Sequence, residues 1–194
     1  HDVEHVRTLT GFKWIMEPAA SRPDSNWIFG YEEALGYSVN SAVLDKDGIS
    51  AAVKFLEMIE TLDAMHLGPL ERLDQLAFEI GLFVTHQASG KFDSIRIDSV
   101  LDALRVAPPE EINGSQIVAT IDWLEKPSPL TTNLIEFRSK DGVRIAIRPS
   151  GTEPKVKIYL EQTISKPVGD LAVLRSSCSE NLKSLGAATL SWFS

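Results

Sequence analysis

The clearest signal along the chain is a change of hydrophobic period. From Asp47 onward, Ile49, Val53, Leu56, Ile59 and Leu62 recur at helical spacing, with Asp47 placed to cap the first turn. Pro69 opens a second helical stretch whose stripe is Leu70, Leu73, Ala77 and Ile80, with Gly81 at its end. Each stripe forms one apolar face. Residues 82–85 then read as a strand broken by Ala88-Ser89-Gly90. Further on the period falls to two. Val143, Ile145 and Ile147 alternate with polar neighbours, and so do Val156, Ile158 and Leu160. Weaker strands are predicted over 117–121 and 133–137, and a short helix over 99–105. A last helix over 169–185 buries Leu171, Leu174, Cys178, Leu182 and Leu185. Near the start, Trp27-Ile28-Phe29 reads as a buried strand after the turn cluster 21–26.

This pattern predicts two domains, 1–85 and 86–194, joined by a hinge near residue 86. The first is α/β. The second is α+β, with strands gathered before a closing helix.

Composition narrows the function classes. The 194 residues are 43% hydrophobic and 24% charged, as in a folded domain. A net charge of −8 argues against nucleic acid or an anionic membrane as partner. No apolar run approaches the roughly 20 residues of a membrane helix. One cysteine, Cys178, excludes an internal disulfide, and a reducing cytoplasm is the expected location. The opening His1-Asp2-Val3-Glu4 is neither an initiator methionine nor an obvious helix start, and by about Thr10 the chain reads like the middle of a domain, so the expectation is a fragment or a processed chain.

Against this acidic background, residues 138–157 hold six basic and two acidic side chains, a local surplus of +4. Between the two best strands lies Arg148-Pro149-Ser150-Gly151-Thr152-Glu153-Pro154-Lys155. Gly151 lets a backbone approach an anion, Ser150 and Thr152 offer hydroxyls, and successive N–H groups can form a nest. Arg148 offers a planar fork matched to phosphate oxygens. Period two puts Arg144 and Arg148 on one sheet face. Spacing alone allows a plain hairpin with solvated cations equally well.

A second candidate is Phe29-Gly30-Tyr31-Glu32-Glu33-Ala34-Leu35-Gly36-Tyr37, where adjacent carboxylates between glycines can accept hydrogen bonds from neighbouring hydroxyls. Thr8-Leu9-Thr10-Gly11-Phe12-Lys13 precedes it. Asp45-Lys46-Asp47-Gly48 lacks the acidic positions of a calcium loop and reads as a helix cap. Asn113-Gly114-Ser115 reads as a turn, and His66 and His86 as isolated surface residues.

These three segments, in this order, resemble the α-D-phosphohexomutases, the phosphoglucomutases and phosphomannomutases. The resemblance implies that the chain holds the C-terminal part of the sugar-binding third domain and a smaller, TBP-like fourth domain. It implies phosphate-binding roles for Arg148, Ser150, Gly151, Thr152 and Lys155. Sugar recognition falls to Glu32, Glu33 and Ala34, with Thr10, Gly11 and Lys13 beside them. Many members have serine where this chain has Ala34, which leaves the choice among gluco, manno and pento substrates open.

The whole enzyme of that family moves a phosphoryl group between positions on a sugar. It uses a phosphoserine, Mg²⁺ and a sugar bisphosphate. No Ser-His pair and no loop of alternating aspartates occurs in this chain. No catalytic residue and no metal ligand is therefore assigned, and the piece is expected to be inactive alone, with the N-terminal domains of the same protein as its partner. The competing expectation is a stand-alone phosphosugar- or anion-binding module with a regulatory role. A large exposed apolar surface would favour the first, a self-contained polar one the second.

Overall fold

The structure is a computed structural model that describes residues 3–22, 24–32, 34–128, 130–151 and 153–194. It divides into two compact units, at Arg72/Leu73.

In the first unit two short helices, α1 (Phe12–Ile15) and α2 (Glu17–Ser21), precede a hairpin of β1 (Gly30–Glu32) and β2 (Gly36–Ser38). Its small core joins Phe12, Ile15, Met16 and Ala19, with Trp27 against them. Trp27 does not lie in a strand. Its indole N–H donates to the Ser38 hydroxyl (3.1 Å), and Ile28 and Phe29 are exposed. The predicted buried strand is thus replaced by a loop that buries one ring, and the strand starts at Gly30. A side chain at Gly30 would collide with that ring, the added Cβ lying 2.5 Å from it.

Helix α3 (Gly48–Ala64) follows, and its Asp47 cap is real: the carboxylate accepts from the Ile49 N–H at 3.0 Å. Its apolar stripe is largely exposed. Leu62 is buried, but Ile49 is 81% and Leu56 64% exposed. Helix α4 (Pro69–Ile80) matches its predicted span and likewise exposes most of its stripe. Ala77 is buried, while Leu70, Leu73 and Ile80 are exposed. Periodicity specifies an apolar face, and the described residues supply no surface to cover these two.

The second unit is one antiparallel sheet in the order β3-β8-β7-β6-β5-β4. The strands are β3 (Leu82–Lys91), β4 (Glu111–Ile112), β5 (Ser115–Asp122), β6 (Ile135–Ser139), β7 (Val143–Pro149) and β8 (Lys155–Ile164). Helices α5 (Ser94–Val106) and α6 (Leu171–Ser191) supply the core with Ile97, Leu101, Leu182 and Leu185, which meet Ile135, Phe137, Ile145, Ile147, Val156 and Ile158 of the sheet. The alternation read over β7 and β8 is the alternation between this core face and the opposite one. Asn113 and Gly114, both at positive φ, make the tight turn between β4 and β5.

Two expectations change here. The break at Ala88-Ser89-Gly90 does not occur, because β3 pairs with β8 along its whole length, from Leu82↔Ile164 to Lys91↔Lys155. Gly90 stays in the strand because the Phe92 ring occupies the space of its missing side chain, 2.5 Å from where a Cβ would sit. A hinge at residue 86 would cut this ladder, so the division falls earlier. His86 is not a surface residue either. It is half-buried on the core face, beside Gly186 of α6. Helix α5 starts five residues before the predicted 99, because the Asp93 carboxylate accepts from the N–H groups of Ile95 and Arg96.

Candidate functional site

The loop between β7 and β8 is closed by two backbone hydrogen bonds. Ser150 N–H donates to the Lys155 carbonyl (2.7 Å) and Lys155 N–H to the Glu153 carbonyl (2.8 Å). Ser150 and Gly151 belong to this loop, with Gly151 exposed, and Lys155 is the first residue of β8. Thr152 lies outside the described residues.

The register places the cations around it. On the face turned away from α5 and α6, Arg148 stands opposite Lys157, and Lys91 opposite Lys155. Like charges directly opposite each other are unfavourable unless something neutralises them. No ion pair among the described residues involves any of these four. The next rows are balanced. Glu136 is 1% exposed, yet it receives Arg138 Nε at 2.7 Å and Arg144 Nη2 at 2.9 Å. Burial is the largest single influence on its pKa and works to raise it. The hydrogen bonds and charges of Arg144 and Arg138 together outweigh burial and hold the carboxyl below its ordinary value. The positive surplus of this sheet face is therefore concentrated at the loop end.

A pocket of about 170 Å³ lies on the other side of the loop, between Ser150 and Glu153 and the first turns of α5 at Ser94, Ile97 and Asp98. It is a poor place for an anion. Two carboxylates line it, and Asp93 already takes the first free N–H groups of the helix.

In the first unit, the Gly11 N–H donates to Glu32 Oε2 at 3.1 Å, so the threonine-glycine segment and the acidic loop do meet. The meeting depends on two glycines. Gly11 has φ 116°, a conformation that side chains resist, and a Cβ on Gly36 would fall 2.5 Å from the Phe12 ring. Gly36 pairs with Glu32 across the hairpin, which fixes where the carboxylate starts. Thr10 and Ala34 are exposed nearby in sequence. Lys13 is drawn elsewhere: its ammonium lies 4.9 Å from the Trp14 ring centroid. Lys46 has its ammonium 5.5 Å from the centroid of the Phe12 ring, on the residue next to Gly11. Glu33 lies outside the described residues. Among the described residues no group of three His, Cys, Asp or Glu side chains is arranged to hold a metal. Nor, among them, is any helix long and apolar enough to cross a membrane. Cys178 is buried, and burial pushes its thiol pKa up, away from reactivity.

Known proteins match both units. The family model described as phosphoglucomutase/phosphomannomutase, alpha/beta/alpha domain III, covers residues 1–74, and the model of the C-terminal domain of the same family covers 101–173. A probable phosphomannomutase from Haemophilus influenzae is 38% identical over 83% of this chain and 32% of its own length. A probable phosphoribomutase from Schizosaccharomyces pombe is 32% identical over 80% of the chain and 30% of its own length. A phosphoglucomutase from Staphylococcus epidermidis is 30% identical over 82% of the chain and 32% of its own length. The chain thus spans about a third of the length of the curated relatives it matches. The open-form crystal structure of the exocytosis-sensitive phosphoprotein parafusin, a phosphoglucomutase from Paramecium, superimposes with a TM-score of 0.62 at 19% identity. It covers 93% of this chain and 33% of that one, and supports the fold. The first unit accordingly has helices of an α/β/α domain with only a two-stranded sheet among the described residues, and the second is the α+β C-terminal domain. The chain belongs to the phosphoglucomutase/phosphomannomutase family and carries sequence of its third and C-terminal domains.

Proposed function

We propose that this chain is the substrate-holding portion of a phosphohexomutase, an enzyme that moves a phosphoryl group between positions on a sugar. The observation that carries the reading is the unneutralised cation pair Arg148/Lys157 beside the Ser150–Gly151 turn, in an acidic chain. Arg148 would grip the non-transferring phosphate, with the loop N–H groups, Ser150, Thr152 and Lys155 completing the cradle. Glu32, held by the Gly11 N–H, would accept hydrogen bonds from sugar hydroxyls, with Thr10, Lys13, Glu33 and Ala34 around it. Such contacts accelerate transfer by fixing geometry rather than by bond making. In the family Mg²⁺ neutralises charge on the transferring phosphoryl group. No residue of this chain is assigned to it, nor to the phosphoserine.

The exposed stripes of α3 and α4 support this reading over a self-contained binding module. Apolar faces of this kind mark surfaces made to be covered, and we assign them to further domains of the same protein. The phosphomannomutase, phosphoribomutase and phosphoglucomutase relatives set the substrates to try. Calorimetric titration with mannose 1-phosphate, ribose 1-phosphate and glucose 1-phosphate tests the proposal. The chain is expected to bind one of them, and Arg148→Ala to weaken that binding by about ten- to a hundredfold, the equivalent of one charge-assisted hydrogen bond, with folding unchanged. Equal binding by Arg148→Ala would overturn the assignment of the loop.

A further inference from the structure

Three arginines share the sheet face opposite the helices, and one is held differently. Arg138 and Arg144 end on the Glu136 carboxylate, which neutralises them. Arg148 has no carboxylate partner among the described residues. Its guanidinium carbon instead lies 5.7 Å from the centroid of the Tyr159 ring, and its Nε is buried without a hydrogen-bond partner. The register explains the contact. Tyr159 stands opposite Ala146, so Arg148 is its diagonal neighbour, within reach of a long side chain. The small Ala146 side chain leaves the ring unobstructed on that strand. Lys157, directly opposite Arg148, pushes the guanidinium away from itself.

We propose that Tyr159 is the positioning residue for the phosphate-binding arginine. A carboxylate anchor would orient Arg148 but compete with the incoming anion for its charge. An aromatic face orients the guanidinium through its quadrupole and leaves the full positive charge for the ligand. Ordering the side chain beforehand also removes an entropy cost from binding. The ligand class is a phosphate dianion. The inference rests on the reading of loop 148–155 as a phosphate site, and its test separates the two.

The test compares the full chain with Tyr159→Phe, Tyr159→Leu and Arg148→Ala. Inorganic phosphate is titrated into each, and the Arg148 Nε–H resonance of the ligand-free proteins is recorded by NMR. Tyr159→Phe keeps the ring and is expected to bind within about twofold of the parent. Tyr159→Leu keeps bulk without a quadrupole and is expected to bind about three- to thirtyfold more weakly. The resonance should lose its ring-current displacement in Tyr159→Leu alone, while the two Tyr159 variants melt together. Parent-like binding by Tyr159→Leu, with binding lost in Arg148→Ala, would overturn the positioning role and leave the phosphate site standing. Undiminished binding in Arg148→Ala, or no phosphate binding by the parent, would overturn the site itself and this role with it. Tyr159→Phe failing along with Tyr159→Leu would assign the effect to the hydroxyl and refute the ring argument.

Discussion

Replacing Glu136 by glutamine removes the charge on which two arginines of the sheet converge while keeping shape and hydrogen-bonding capacity. The side chain is 1% exposed, and those of Arg138 and Arg144 are 47% and 35% exposed. A charged partner left fully buried would cost about 3–5 kcal/mol. Here both guanidiniums can turn toward water, and the amide oxygen still accepts one bond. The expected loss at neutral pH is therefore smaller, about 2 kcal/mol, close to one charge-assisted hydrogen bond. The pH dependence gives the sharper test. The Glu136 carboxyl is held below its ordinary 4.5 in the folded chain. In acid the unfolded state then binds the proton first, so stability from this group is present above about pH 4.5 and is lost as pH falls through the folded pKa. Urea titrations at several pH values, followed through the amide resonances of β7, report on this unit alone. The parent and Glu136→Gln should differ at pH 7 and converge as pH falls below 4.5. A constant gap at all pH values would refute the ion-pair reasoning, and so would a gap that widens in acid.

Two further outcomes test the packing. Gly142→Ala should destabilise the second unit by about 2 kcal/mol or more, since Gly142 has φ 77° and a Cβ would fall 2.5 Å from the Thr163 carbonyl oxygen. The same urea titration reads it, and an unchanged midpoint would contradict the geometry. Leu182→Ala, at a fully buried position of α6, should cost about 2–5 kcal/mol, seen as a lowered melting temperature by circular dichroism.

The second unit was largely legible because its elements follow one period each and are covered by their own helices. β7 and β8 alternate between core and open face as read, and the buried side of α6 contains Leu171, Cys178, Leu182 and Leu185 as expected. Glu136 was not legible. Alternation puts it on the polar face, and only the three-dimensional convergence of Arg138 with Arg144 from the next strand buries it. Tyr159 escaped for a related reason, since its contact with Arg148 depends on register between strands. The first unit was less legible. Trp27 sits in a loop, where it finds a hydrogen bond rather than a ladder, and the apolar face read for α3 has no covering surface among the described residues. Of the candidate site residues, Glu32 and Gly11 are joined by a hydrogen bond, whereas Lys13 sits over its own neighbour.

The ten-residue ladder between β3 and β8 joins the first strand of its sheet to the last. As the chain leaves the ribosome, β3 emerges long before its partner, and Leu82 meets Ile164 only when nearly all of the sheet has been made. No short hairpin can hold that edge in the meantime. The edge forms by a long-range closure, and contacts of this separation slow folding. Until closure, α6 lacks the β3 surface on which it lies, so the closing helix and the opening strand become ordered together. The strand that begins the unit is thus among the last to find its place.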